Sequence, residues 1–270
     1  RRRLVVSAAA GVRRGAKWFT CQHAGTALQA LARLGVSDAD TVTSLVSAAR
    51  RRLPEAYTRD IAAMARGLAQ LGPSRSTELD RFWADVWAAL LREKLPTDRA
   101  PAGALVSILS SALRLGVDVP PAAVTAVSDD ALRRLPAYSP ADVAGLVAAL
   151  SSHRRSLQLS GVAAVQPGGL ATLAGHLAEH REHCDVQTLI AFLYSASLLL
   201  PPSECRGWAA AGGAPVLLSE LSSRLERDGV AAELPLPRLV DAAGAFARMG
   251  AAPSVGAAVA HAAAVASALP

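Results

Sequence analysis

A frame of about fourteen residues returns six times along this 270-residue chain, and no other feature restricts the fold as strongly. Its clearest copy runs from Gln22 to Gly35, followed by copies at Arg59–Gly72, Gly103–Gly116, Ala141–Arg154, Cys184–Ser197 and Pro237–Gly250. The last residues of successive copies stand 37, 44, 38, 43 and 53 positions apart. Self-similarity at this period is the mark of a helical-repeat array, in which one unit cannot bury its own apolar face and neighbours must stack.

Within the first copy Leu28, Leu31 and Leu34 recur at helical spacing, and Ala24, Ala27 and Ala30 leave room for a neighbouring helix. Gly35 follows the last leucine, as Gly72, Gly116 and Gly250 do in their copies, and a glycine there ends a helix. Each copy therefore predicts one helix, helix A. A second amphipathic stretch, helix B, follows each stop, near 38–53, 78–91, 121–135, 169–181, 215–227 and 253–269. Thr77 and Asp80 have the spacing of a capping box for the second of these. The predicted fold is all-α, a right-handed αα-hairpin solenoid of about six helix pairs. It places a basic arm at 1–18 and a single repeat domain at 19–270, with its best internal break at 156–169. Trp83 is expected in the core. The apolar run 186–200 is too short to span a bilayer and reads as a buried helix A.

The net charge of +6 is unevenly placed. Seven of the 28 basic residues lie in 1–37, where no acidic residue occurs, so residues 38–270 carry 21 basic against 22 acidic groups. An Arg-rich, Ala-rich, acid-free start is the kind of neighbourhood in which an organelle transit peptide ends. Three scattered cysteines do not make a disulfide framework and suit a reducing interior.

Read with its upstream residues, the first copy resembles the helical repeat of organellar octotricopeptide-repeat proteins and of the RAP-domain, FAST-kinase-like family. Their pattern runs approximately F-x-x-Q-x-L-A-N-x-L-W-A-L-A-K-L-G. Phe19, Gln22, Leu28, Ala30, Leu31, Ala32, Leu34 and Gly35 match it, with Arg33 for the lysine. In the second copy Asp60, Ile61, Ala62, Leu68, Ala69, Leu71 and Gly72 match; in the fourth, Tyr138 stands where Phe19 does. The family's asparagine is replaced by Thr26, Ala63, Ser107, Gly145, Thr188 and Asp241, so a base-by-base RNA code is not carried over. The resemblance implies a non-enzymatic protein of a mitochondrion or, alternatively, a chloroplast. It would be a subunit or assembly partner of the mitochondrial ribosome, bound to ribosomal RNA and neighbouring proteins. The competing expectation is a protein-binding scaffold of the HEAT or armadillo kind without direct RNA contact.

Candidate RNA contacts are the cations of the basic start, Arg13, Arg14 and Lys17, and those at helix-B ends, Arg50, Arg51, Arg52, Arg133 and Arg134. Arg92, Lys94, Arg224 and Arg227 extend that edge. Arg33, Arg114 and Arg248 share one helix-A position and form a second row. His176, Glu179 and His180 spell H-x-x-E-H, the inverted zinc-peptidase order. Leu170, Leu173 and Leu177 claim the buried stripe of that helix, which puts the histidines on its wetter face and favours a solvated surface over a metal site. No phosphate-binding loop, dinucleotide glycine pattern, nucleophile elbow or paired-cysteine zinc motif occurs, so neither enzyme activity nor a cofactor, a small-molecule substrate or a membrane is expected.

Overall fold

A computed structural model describes residues 2–92, 100–154, 167–227 and 230–251. Lys94, most of the 156–169 break and the sixth helix B lie outside them. Among the described residues the only regular elements are helices, with no strand. Helices α1 (Arg2–Gly15), α2 (Cys21–Arg33), α3 (Ala39–Arg51), α4 (Thr58–Leu71), α5 (Thr77–Leu91), α6 (Ala102–Arg114) and α7 (Pro121–Arg133) come first. They are followed by α8 (Pro140–Ser152), α9 (Pro167–Glu179), α10 (Val186–Leu199), α11 (Pro202–Ala209), α12 (Ala214–Glu226), the single turn α13 (Val230–Glu233) and α14 (Leu236–Met249). Every predicted helix A is present, as α2, α4, α6, α8, α10 and α14. Five helices B are present, as α3, α5, α7, α9 and α12. None of these helices is long and apolar enough to cross a membrane.

The chain divides into two compact units, residues 1–130 and 131–270. In the first, α2 packs on α4 and α4 on α6 to make a row of A helices, while α1, α3 and α5 make a second row. Residues 2–15, read from sequence as a basic arm, are thus a helix that docks on α3 as a helix B would. In the second unit α8 packs on α10 and α10 on α14, with α9 against α12 behind them. Each unit has the two-layer build of repeated helix pairs. Its core is aliphatic, with Leu28, Leu45, Ile61, Leu68 and Ile108 sealed in the first and Leu146, Leu170, Leu193 and Leu217 in the second. Trp83 is buried as expected and stacks on Trp87, ring centroids 5.7 Å apart.

The ends of the A helices explain why the frame is so regular. After α2, α6 and α14 the amide that follows the terminal glycine reaches back across the last turn (Val36 N to Leu31 O, Val117 N to Ala112 O, Ala251 N to Phe246 O). The glycine between adopts a left-handed conformation, as at Gly116 with φ 66°. Helix α4 has only the single bond from Gly72 N to Leu68 O. The next amide belongs to Pro73, which has no hydrogen to donate.

Helix starts follow from short polar side chains: Thr20, Asp38, Ser76, Ser139 and Asp185 each accept a hydrogen bond from the backbone amide three residues on. The cap of α5 is Ser76, which accepts from Leu79 N, not the expected Thr77, and Asp80 lies 3.5 Å from Arg75. Asp185 sets the register of α10. By its cap, the fifth copy begins at Gln187 and not Cys184, three residues later than the frame read from sequence. A short 3-10 turn also precedes four of the A helices, at Ala16–Trp18, Leu53–Glu55, Leu135–Ala137 and Arg181–His183. The twice-occurring Arg-Arg-Leu-Pro at 51–54 and 133–136 is its sequence signal.

Candidate nucleic-acid interface and histidine cluster

Counting from each helix-A cap, four positions spaced 4, 3 and 4 residues apart fall on one outward stripe. In the first unit they are Gln22, Thr26, Gln29 and Arg33 on α2; Arg59, Ala63, Arg66 and Gln70 on α4; Gly103, Ser107, Ser110 and Arg114 on α6. All twelve are exposed or half-buried, and none is acidic. The stripes are tied together in register. Gln29 Nε2 donates to Ala63 O at 3.1 Å, and Arg66 Nη1 donates to Ser107 Oγ at 3.0 Å, so the third position of one helix bonds the second position of the next. Helices α2, α4 and α6 contain one carboxylate between them, Asp60, which faces Arg59 at 3.7 Å.

Acidic groups instead gather with the B helices, and there they claim the cations that the sequence offered to RNA. Arg50 donates to Asp85 at 2.7 Å and sits 3.4 Å from Glu78, tying α3 to α5. The Asp85 hydrogen bond holds the Arg50 guanidinium above its ordinary pKa. Arg51 bonds Ser47, Arg52 pairs with Glu55, and Arg13 reaches Asp40 at 3.2 Å. Lys17 lies over the exposed Trp18 ring. Arg133 and Arg134, at the end of α7, are engaged as well. The helix-B edge is therefore not a free track. Arg14, Arg33 and Arg114 are exposed and have no ion pair with the described residues.

The third member of the helix-A row behaves differently. Arg248 Nε donates to Ser197 O at 3.0 Å, satisfying a carbonyl near the end of α10. Arg154 donates to Leu198 O, and Arg224 to Cys184 O and Arg181 O. In the second unit these arginines cap helix and turn ends. The outward stripe of α8 is small (Ala141, Gly145, Ala148 and Ser152), that of α10 is Gln187, Ala191, Tyr194 and Leu198, and that of α14 carries Asp241 and Arg248. Sequence reasoning placed Arg33 and Arg114 on the frame but missed Arg66 and the glutamines, because it read the polar positions of all copies together as small.

The histidines depart most from expectation. His176 is 7% exposed, not on a wetter face, because α9 packs against α8 and the turn before it. Its Nε2 lies 3.1 Å from Tyr138 O. His180 is exposed, its ring centroid 4.6 Å from that of His176, and His183 follows at 6.4 Å from His180. Cys21, Cys184 and Cys205 are free and buried, and burial raises the pKa of each thiol, so none is a ready nucleophile.

No protein-family model matches the chain, and a search of curated proteins finds no match.

Proposed function

We propose that this chain is a non-enzymatic, RNA-associated helical-repeat protein of an organelle, its pairs winding into a right-handed solenoid, and that it serves as a subunit or assembly partner of the mitochondrial ribosome. The observation that carries the RNA reading is the outward stripe of α2, α4 and α6: twelve positions with four arginines, three glutamines and no carboxylate, in a chain whose other acids are interleaved with its bases. Adjacent packed helices stand about 8–10 Å apart. Arg33, Arg66 and Arg114 would meet phosphates of a single strand, while Gln22, Gln29 and Gln70 offer amide groups to base edges. The compartment rests on the acid-free basic start and on the resemblance of the Gln22–Gly35 frame to organellar repeats.

Binding of a single-stranded RNA, followed against salt, tests the reading. Three phosphates predict a log–log slope of roughly −2. Reversing Arg33, Arg66 and Arg114 to Glu should abolish most of the affinity, and reversing Arg50 and Arg52 should change it little. Equal losses from both sets would reject the helix-A face as the contact surface.

A second reading, a protein-binding scaffold without RNA contact, is favoured by the second unit, whose α8 stripe is small, whose α14 stripe carries the acidic Asp241, and whose Val240 is 60% exposed. Salt-independent association with a protein partner, together with no RNA crosslinks in cells, would establish it.

A further inference from the structure

We propose that His176, Glu179 and His180 hold a divalent cation of the zinc type, a clasp at the C-terminal end of α9 that is separate from the RNA reading above. The three residues are spaced i, i+3 and i+4, which puts them on one helix surface. One nitrogen from each histidine and one oxygen from Glu179 all lie within 4.8 Å of one another. Bonds of 2.0–2.2 Å to a tetrahedral ion bring such atoms to about 3.4 Å. His180 and Glu179 are exposed and free to rotate by that amount, whereas His176 is buried and fixed.

The fixing of His176 points to a ligand. A carbonyl oxygen only accepts, so the 3.1 Å contact means that Nε2 carries the proton and donates to Tyr138 O. The lone pair is then on Nδ1, the nitrogen left for a metal. A histidine oriented through its second nitrogen by a backbone carbonyl is the arrangement that metal-bound imidazoles adopt. The fourth position is open to water or to His183, one further step along the surface. Cys184 does not join the group: its Sγ–H is directed to His180 O at 3.5 Å and Leu177 O at 3.9 Å. Two imidazoles and a carboxylate select zinc, nickel or copper over magnesium and calcium. Glu179 is here a ligand, so the clasp is structural. By holding His176 in its rotamer, it would brace α9 against the turn at Leu135–Ala137 and so against the start of α8.

The test uses the full chain without a histidine tag and zinc chloride as the only ligand. Calorimetric titration should find one zinc per chain with micromolar or tighter affinity, and about a hundredfold excess over the dissociation constant should raise the melting temperature by roughly 5 °C. His180→Ala, at an exposed position that leaves folding intact, should weaken binding at least about tenfold and abolish the shift; Glu179→Gln should weaken it less. Cobalt substitution should give the visible absorption of a tetrahedral site in the parent protein and not in His180→Ala. Absence of stoichiometric binding at about 100 μM zinc, or binding and a thermal shift that His180→Ala leaves unchanged, would overturn the clasp.

Discussion

Gly25 of α2 and Gly67 of α4 pack reciprocally, each against the partner helix where a side chain would collide. A Cβ on Gly25 would stand 2.8 Å from Met64 N, and one on Gly67 would stand 2.7 Å from Leu28 Cβ. The contacts advance together along both chains, from Gly25 with Ala63 and Met64 to Leu28 and Gln29 with Gly67, so the two helices run parallel. This close approach brings Gln29 within reach of Ala63 O and so sets the register of the polar stripe.

Alanine at either position should therefore destabilise the protein although it favours the helix. Overpacking a tight interface costs about 1–3 kcal/mol, and the better helix propensity returns about 1 kcal/mol. A net loss of up to about 2 kcal/mol is expected for Gly25→Ala or Gly67→Ala in urea denaturation. The double variant should lose less than the two losses added together, because the first substitution already forces the helices apart.

His176 and His180 should separate sharply in metal-free buffer. His176→Ala removes the hydrogen bond to the Tyr138 carbonyl and opens space in a packed region, a loss of about 1–3 kcal/mol. His180→Ala, at the exposed end of α9, should move stability by less than about 0.5 kcal/mol. Equal effects would mean that His176 is not held as described.

Alkaline pH should weaken the fold through Cys21. Burial, then the charges of Asp60 and Glu55, push its thiol from 9.0 up to about 12. Below pH 9 the thiol is protonated in both folded and unfolded chains and stability is unaffected. Between pH 9 and about 12 the unfolded chain sheds the proton while the folded chain keeps it, so stability falls as pH rises. Cys21→Ala should flatten that decline in melts taken from pH 8.5 to 11. In the same range native Cys21, whose Sγ–H donates to Ala49 O at 3.2 Å, should resist alkylation until the protein unfolds.

Helix placement was legible in the sequence because its causes are local. Leu28 and Leu31 make the buried face of α2, although Leu34, three residues on at the helix end, is 57% exposed, and a glycine in the left-handed region ends the turn wherever it stands. A Thr, Ser or Asp three residues ahead of a free amide starts a helix without help from the rest of the chain. Where local signals competed, the reading slipped. Ser76 and Thr77 are both cap-forming types, and the fifth copy had lost the glycine that would have marked its end, so its register waited for the Asp185 cap. Helices α1 and α11 went unread, the first because its arginines look like a solvated arm and the second because eight residues between prolines and glycines carry little periodicity.

The sequence by itself determined the six A helices and the five B helices described, their stops and the acid-free start. Only the tertiary structure decided what their polar side chains do. Arg33 and Arg50 are both exposed-looking cations near a helix end, yet among the described residues one has no ion pair and the other binds Asp85 and Glu78, 35 and 28 residues away. His176 and His180 share a helix face in any drawing of the sequence, but α8 and the turn before it cover one and leave the other in water. Periodicity follows from 3.6 residues per turn and needs no partner. A side chain's charge partner and its burial depend on which segments stacking brings alongside, and residues 27–44 positions apart in the chain have no local code for one another.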